Sequence, residues 1–329
     1  MVVRVSVIVA VFNSAQFVRE AIKSAQEQTI RDIEIIAIDD ASMDDTLVVL
    51  RQIAQDDPRV VVMASPINEG PGGARNRGMA VAKGEWIAVL DGDDKFLPNR
   101  LATLLDHAET KNLDVLADNH LIYDSHLNAV CDKGFDLKSD TAALTPSLFV
   151  LNDAPPRFFG LGLLKPIVRA SFLRRHDVRY PLLRFGEDFA FLFSLLLRTE
   201  KAALIREPLY VYTSPVGALS GKSSGRSKTD EVSGWRCYSH IAQQFHEDAK
   251  QLRADDKLLL RVLDIRKRRI EWLVRWNRAR DECAHMGPIC RWLFALRPCF
   301  FAYTFLKIMR RFDNKHILLN PKRLLLKAI

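Results

Sequence analysis

Glu85-Trp86-Ile87-Ala88-Val89-Leu90-Asp91-Gly92-Asp93-Asp94 is the stretch on which the fold turns. Its apolar run is short and uninterrupted, so residues 85–90 read as a strand buried on both faces. Three carboxylates then crowd the end of that strand. Toward the N-terminus the same kind of unit recurs. Residues 5–11 (Val-Ser-Val-Ile-Val-Ala-Val) make a first buried strand, and Asn13-Ser14 opens a helix over 15–28 with Phe17, Ala21, Ile22 and Ala25 on its apolar face. A second strand over 33–38 ends in Asp39-Asp40-Ala41-Ser42. A helix starts near Asp44-Asp45-Thr46, a third strand covers 60–63, and a Gly-rich loop over 68–73 leads into a helix from Ala74 to near Lys83. This β-α-β-α-β-α-β order calls for an α/β fold, a mostly parallel central sheet flanked by helices. Such sheets bind ligands beyond the carboxyl ends of their strands, where both acidic clusters fall.

Downstream, a strand is expected over 114–120, a helix near 165–175, a helix over 187–198 and a strand near 209–213. Residues 214–227, rich in Gly, Ser and Pro, read as a loop or linker, and the rest as a basic helical extension.

The bulk numbers agree with a globular protein. The chain has 329 residues, 48% hydrophobic and 27% charged, enough for one or two domains. The N-terminal apolar run has no basic segment before it and no small-residue cleavage site after it, so it is a strand rather than a signal peptide. Five cysteines (Cys131, Cys237, Cys283, Cys290, Cys299) form no C-x-x-C pair, against a disulfide framework or zinc knuckle and in keeping with a reducing cytosol. The net charge of +8 is unevenly spread: residues 216–329 hold 24 Lys+Arg against 11 Asp+Glu, so the preceding part is acidic.

Four constellations bear chemistry, and each has a plainer reading. Asp91 and Asp93 suit a hard divalent cation, Mg²⁺ or Mn²⁺, bridging to a diphosphate; the plainer reading is a solvated turn with Asp94 as a cap. Asp39-Asp40 can accept hydrogen bonds from a base or ribose, or serve as a helix cap. The loop Asn68-Glu69-Gly70-Pro71-Gly72-Gly73, with Arg75 after it, can face phosphates; it lacks the spacing of a P-loop, and it also reads as a turn before a solvated helix. Glu187-Asp188 at a helix start can supply a general base with a raised pKa, or favourable charge at the positive end of a helix.

The order and spacing of all four resemble the family 2 glycosyltransferases of the GT-A fold. The matching residues are Val5–Asn13, Ile38-Asp39-Asp40-Ala41-Ser42-Met43-Asp44-Asp45-Thr46, Gly73-Ala74-Arg75-Asn76-Arg77-Gly78, Ala82–Asp94 and Gly186-Glu187-Asp188. The resemblance is strong over 1–100, weaker to 215, and without a motif beyond. It implies a nucleotide-diphospho-sugar transferase with a helical basic C-terminal extension. Residues 1–120 would bind the nucleotide sugar, 121–215 the acceptor, and 216–329 would form the basic region. Asp40, with Asp39 beside it and backbone of Ala10 and Phe12, would hold the base. Arg75 would lie near the nucleotide. Asp91 and Asp93 would serve the metal, Mg²⁺ or Mn²⁺, with Asp93 its ligand and Asp91 on the ribose side. Asp188 would be the catalytic base, supported by Glu187. Lys165 falls where members of the family carry a basic residue. The family departs at Pro71-Gly72-Gly73, where relatives carry small polar residues. The implied activity is inverting transfer from a UDP-sugar, glucose by default, in exopolysaccharide synthesis of the succinoglycan type; lipopolysaccharide, capsule and protein O-glycan transfer use the same site.

The basic third leaves alternatives open. Arg266-Lys267-Arg268-Arg269, Trp272, Trp276 and Arg291-Trp292 mix charge with aromatics, which suits interfacial helices on an anionic inner leaflet. That would make the enzyme cytoplasmic and peripheral on the membrane, near a lipid-linked oligosaccharide acceptor. The same residues also suit a helical subdomain packed on the catalytic part or on a second subunit of a homodimer. A spanning helix is not expected, because Arg297-Pro298 interrupts residues 292–309. Nucleic-acid binding through the basic region is a distant alternative; no nucleic-acid partner is expected, since the basic residues carry no recognised nucleic-acid motif and the acidic motifs sit where a nucleotide diphosphate would.

Overall fold

The computed structural model describes residues 2–152, 161–183, 186–214 and 242–284, with side chains to residue 271 except those of Ser214 and Arg269. They fall into two units, one of residues 2–145 and 161–214, the other of residues 146–152 and 242–284.

The first unit is built on one ten-stranded sheet. Its opening strands are β1 (Val5–Val11), β2 (Ile33–Asp39), β3 (Val60–Ala64) and β4 (Trp86–Asp91). β5 (Lys95–Phe96), β6 (Val115–Asp124), β7 (Ala129–Lys133), β8 (Thr141–Ala143), β9 (Ile167–Arg169) and β10 (Ala202–Ser214) follow. The main order is β3-β2-β1-β4-β9-β6-β10-β5. β3, β2, β1 and β4 run parallel, as does β10 with β6, while β9 lies antiparallel between β4 and β6. The mostly parallel α/β sheet expected from the sequence is present. β1, β2 and β4 are buried along nearly their whole length, which is why they are near-continuous apolar runs rather than alternating.

Helices α1 (Val18–Gln26), α2 (Thr46–Asp56), α3 (Gly70–Val81) and α4 (Arg100–Thr110) connect these strands. α1 buries Val18, Ala21, Ile22 and Ala25 against the sheet. Two expectations are corrected. Residues 70–73 are the first turn of α3 rather than a loop. The glycines there serve close packing: a Cβ on Gly72 would sit 2.5 Å from the Pro181 carbonyl oxygen. The helix expected near 165–175 is split into β9 and α6 (Ala170–His176), because the Ile167-Val168 run is drawn into the sheet between β4 and β6. The strand expected near 209–213 is the end of the longer β10. α7 (Glu187–Arg198) follows Gly186, whose φ of +84° turns the chain into the helix, and it buries Phe189, Phe191, Phe193 and four leucines.

The second unit comprises α5 (Pro146–Asn152), α8 (residues 242–252) and α9 (Lys257–Ala284). Asp256 caps α9 by accepting the Leu259 N–H (2.8 Å). Along α9, Leu259, Val262, Leu263, Arg266 and Ile270 are buried, a helical stripe turned inward within its own unit. No described helix is long and apolar enough to cross a membrane. The side chains of Trp272 and Trp276, and all of residues 285–329, lie outside the described residues, as does most of the expected linker.

Candidate active site

The register of the parallel strands gathers the predicted residues at one edge of the sheet. Ala10 lies opposite Asp91 and Val11 opposite Asp39, so β1, β2 and β4 end together. Phe12 follows directly, and Asn13 locks the two loops: its N–H donates to Ser42 Oγ (2.9 Å) and its Oδ1 accepts the Met43 N–H (2.8 Å). Gly92 is required by proximity, since a Cβ there would stand 2.6 Å from Val11 Cγ1.

The two aspartates after β2 differ from each other. Asp40 is buried, and its Oδ1 and Oδ2 accept the N–H groups of Glu69 (3.0 Å) and Gly70 (2.8 Å). It therefore tethers the start of α3 to the end of β2. Burial raises its pKa despite those two hydrogen bonds. Asp39 is equally buried, yet only its Oδ2 has a partner, the Ser42 N–H at 3.3 Å; Oδ1 has none among the described residues. An unpaired buried acceptor is costly and rare, which marks this oxygen as a place for a donor group.

The residues after β4 are held by side chains from far along the chain. Arg75, 3% exposed, donates Nη2 to Asp91 Oδ1 (2.6 Å) and Nη1 to Asp188 Oδ1 (2.8 Å) and Glu187 Oε1 (3.2 Å). Lys165, 5% exposed, places Nζ 2.9 Å from Asp91 Oδ2 and 2.6 Å from Asp188 Oδ2. Asp91 and Asp188 thus share the same two cations, and the four side chains close into a ring. Burial opposes the charge of Asp91, but Lys165 and Arg75 outweigh it and hold the carboxyl well below its usual range. Burial likewise opposes the charge of Lys165, and the carboxylates of Asp188 and Asp91 overcome it, so the ammonium is held charged. Burial and the neighbouring Asp188 push Glu187 upward. Arg75 is thus buried among carboxylates within hydrogen-bonding reach rather than on a solvated helix face.

Aromatic residues that the sequence did not single out support the ring. Tyr180 stacks on Phe191 (3.9 Å between centroids) and lies beneath the Arg75 guanidinium at 5.0 Å. Asn76 pins that segment, donating to the Tyr180 carbonyl (2.8 Å) and accepting its N–H (2.9 Å). Tyr210 donates to Asp94 Oδ2 (2.6 Å) and accepts the Asp91 N–H (3.3 Å), while Asp94 Oδ1 accepts the Thr213 N–H (2.8 Å). Asp94 is therefore a buried anchor of the turn on β10, and burial and the neighbouring Asp93 and Asp91 push its pKa well up. Tyr212, also near this turn, is raised to about 12, chiefly by burial.

Asp93 stands apart. Among the described residues no ion pair or hydrogen bond from another residue reaches its carboxylate. Burial and the charge of Asp91 push it up to about 7. A carboxylate that ionises with difficulty for want of a cation is chemically suited to a hard divalent ion. The described residues hold no group of three acidic, His or Cys ligands, so such an ion would lean on few protein oxygens. That is the habit of Mg²⁺-type sites completed by substrate phosphates.

A mostly parallel α/β sheet with aspartates at its strand ends fits the GT-A fold of nucleotide-diphospho-sugar transferases, and solved structures share that fold. The chain belongs to glycosyl transferase family 2, whose family model matches residues 6–129. It is 34% identical to the succinoglycan biosynthesis protein ExoO of Rhizobium meliloti over 225 residues, 66% of this chain and 62% of that protein. It is 30% identical to an uncharacterized glycosyltransferase of Haemophilus influenzae, covering 61% of this chain and 74% of that one. Among solved structures, S. aureus TarS (residues 1–349, in complex with UDP-GlcNAc) superposes with a TM-score of 0.62 at 22% identity, over 79% of this chain and 71% of that one.

Proposed function

We propose that the chain is an inverting hexosyltransferase that moves one sugar, glucose by default, from a UDP-sugar to a hydroxyl of a lipid-linked oligosaccharide in exopolysaccharide synthesis. The observation that carries this reading is the buried ring that brings Asp188 onto the same cations as Asp91, beside the cation-free carboxylate of Asp93. Membership of the family and the likeness to a succinoglycan protein support the reaction class and the pathway. The basic charge of residues 216–329 supports a peripheral place on the inner face of the cytoplasmic membrane, where anionic lipid attracts Lys and Arg.

Asp188 takes the proton of the acceptor hydroxyl as that oxygen attacks the anomeric carbon from the face opposite the leaving group. One displacement inverts the centre. Each Asp188 oxygen spends one lone pair on a cation, and a carboxylate has about four acceptor sites, so a lone pair remains for the proton. Glu187 shares Arg75 with it, a third carboxylate beside the two cations. Asp91 orients the ribose side of the donor. The buried, unpaired Oδ1 of Asp39 takes an N–H of the base, with Asp40 holding the α3 turn beside it and Ala10–Phe12 backbone lining the place. Asp93 would hold Mg²⁺ or Mn²⁺, which when bound neutralises charge on the departing diphosphate.

The test is a panel of UDP- and GDP-sugars with Mn²⁺ or Mg²⁺, reading release of the nucleoside diphosphate. Metal-dependent release from a UDP-sugar is expected. Asp188→Asn should cut it about 10³-fold with UDP affinity retained. Substantial turnover by Asp188→Asn would remove the base assignment, and no release from any donor would overturn the reading.

A further inference from the structure

We propose that Lys165 is a positioning residue of the transfer reaction, holding the Asp188 carboxylate in fixed relation to Asp91. The inference rests on the reading of Asp188 as the base. Two carboxylates brought this close repel each other unless cations lie between them. The ring supplies two cations, on opposite sides. Arg75 spans the Oδ1 atoms (2.6 and 2.8 Å) and Lys165 the Oδ2 atoms (2.9 and 2.6 Å), so neither carboxylate can rotate about its terminal bond without breaking an ion pair. Asp188 lies in the first turn of α7, 113 residues from Arg75 and 23 from Lys165, and these tethers from other elements fix its orientation.

Lys165 is itself held at both ends. Its carbonyl accepts Arg100 Nη2 at 2.6 Å, and the same fully buried guanidinium grips Asp118 through Nε (2.9 Å) and Nη2 (2.7 Å). Arg100 also faces the rings of Phe96 (4.3 Å) and Tyr210 (5.2 Å), and Tyr210 anchors Asp94. The lysine backbone and the acidic turn are thus braced against one rigid group. A long, flexible side chain is costly to order, and a buried ion pair adds little stability over a well-packed apolar one. Orientation of the two carboxylates is the return that a lysine gives here and a methionine would not.

The experiment compares Lys165→Met and Lys165→Arg with the parent chain, using the UDP-sugar turned over in the donor screen. It measures kcat, the donor KM, UDP affinity by calorimetry and the thermal midpoint. Misplacing a reacting group by about 1 Å costs on the order of 10² in rate. Lys165→Met should therefore lose about 10²-fold in kcat with KM and UDP affinity within about threefold, and Lys165→Arg should regain at least about tenfold. In single turnovers on an Asp188→Asn background the same substitution should cost less than about threefold, because both act through one group. Lys165→Met within about threefold of the parent kcat, or a full loss repeated on the Asp188→Asn background, overturns the proposal. If Lys165→Met does not melt cooperatively, Lys165→Gln takes its place, with the same fold-changes expected and the same results counting against the proposal. A dead Asp188→Asn beside a fully active Lys165→Met would remove only the role of Lys165. An active Asp188→Asn would remove the base reading itself.

Discussion

β2 and β4 both end in clustered aspartates at the same edge of one sheet, and the two clusters are neutralised in opposite ways. Asp40 is satisfied by two backbone N–H groups of the α3 turn, and its work is to tie that helix to the sheet. Asp91 is satisfied by side chains at positions 75 and 165, which it shares with position 188. Backbone groups are available anywhere in a chain. Two buried cations recruited from separate elements cost desolvation, and that cost falls where a particular charge geometry is wanted. Acidic turns that look alike along the chain thus separate by the kind of donor they attract.

The largest effect that sharpens this contrast belongs to Asp91→Asn. It takes from Lys165 and Arg75 a carboxylate that both contact, and breaking a buried charge pair costs about 3–5 kcal/mol. Donor turnover should fall by about 10² or more, with a visible drop in thermal midpoint. Asp40→Asn should behave differently: it turns an N–H donor toward a backbone N–H, costs about 1–3 kcal/mol, and leaves turnover per folded molecule within about tenfold. Equal loss of turnover in the two variants would break the contrast.

Next in size is Asp93→Asn. Because the folded-state pKa of Asp93 is raised to about 7 from 3.8, its contribution favours the fold below 3.8 and is lost as pH rises through 7. Without metal, Asp93→Asn should therefore melt above the parent at pH 8, by about 1–3 kcal/mol, and match it near pH 4. Mn²⁺ should raise the midpoint of the parent at pH 8 and not that of the variant. An equal Mn²⁺ shift in both would take the metal away from Asp93. Tyr210→Phe comes after it. Removing the phenol leaves Asp94 Oδ2 and the Asp91 N–H without their partner, for about 1–2 kcal/mol of stability and about a tenfold loss of kcat. An unchanged kcat would show that the turn keeps its shape without β10.

The half of the sheet up to β4 is legible in the sequence because its strands are short apolar runs, buried in β1, β2 and β4, and α1 presents one apolar face of Val18, Ala21, Ile22 and Ala25. Ala10, Phe12, Asp39, Asp40 and Asp91 all sit at strand ends, where the alternation of elements already places a ligand. The start of α3 reads as a loop because Gly70-Pro71-Gly72-Gly73 has poor helix propensity. Tertiary packing overrides it: only glycine lets position 72 approach Pro181. β9 is hidden because three residues between two helical patterns have no periodicity of their own. The ring is invisible for a different reason. Nothing local in Lys165, Tyr180 or Tyr210 marks them, and their roles exist only once β9, the 178–181 segment and β10 converge on β4. Family resemblance alone points at Lys165, without its partner.

The smallest effect tests the opposite edge of the sheet, where strands begin and no ligand chemistry is expected. Asp57, between α2 and β3, accepts from Arg59 Nε (3.0 Å) and Nη2 (2.7 Å), from the Arg59 N–H (3.0 Å) and from Gln26 Nε2 (2.9 Å). These hydrogen bonds, Arg59 foremost, lower its pKa from 3.8 to about 2. A carboxyl with a depressed folded-state pKa stabilises the fold above its unfolded value, and that stabilisation fades as pH falls from 3.8 through 2. Asp57→Asn should therefore lower the midpoint at pH 7 by an amount equivalent to about 1–2 kcal/mol, and the gap to the parent should close by about pH 2. Turnover should stay within about twofold, since the change lies at the far ends of the strands from Asp91. Comparable loss of turnover here would mean that rate in this chain tracks the stability of the sheet as a whole, and the special standing of the acidic edge would fall with it.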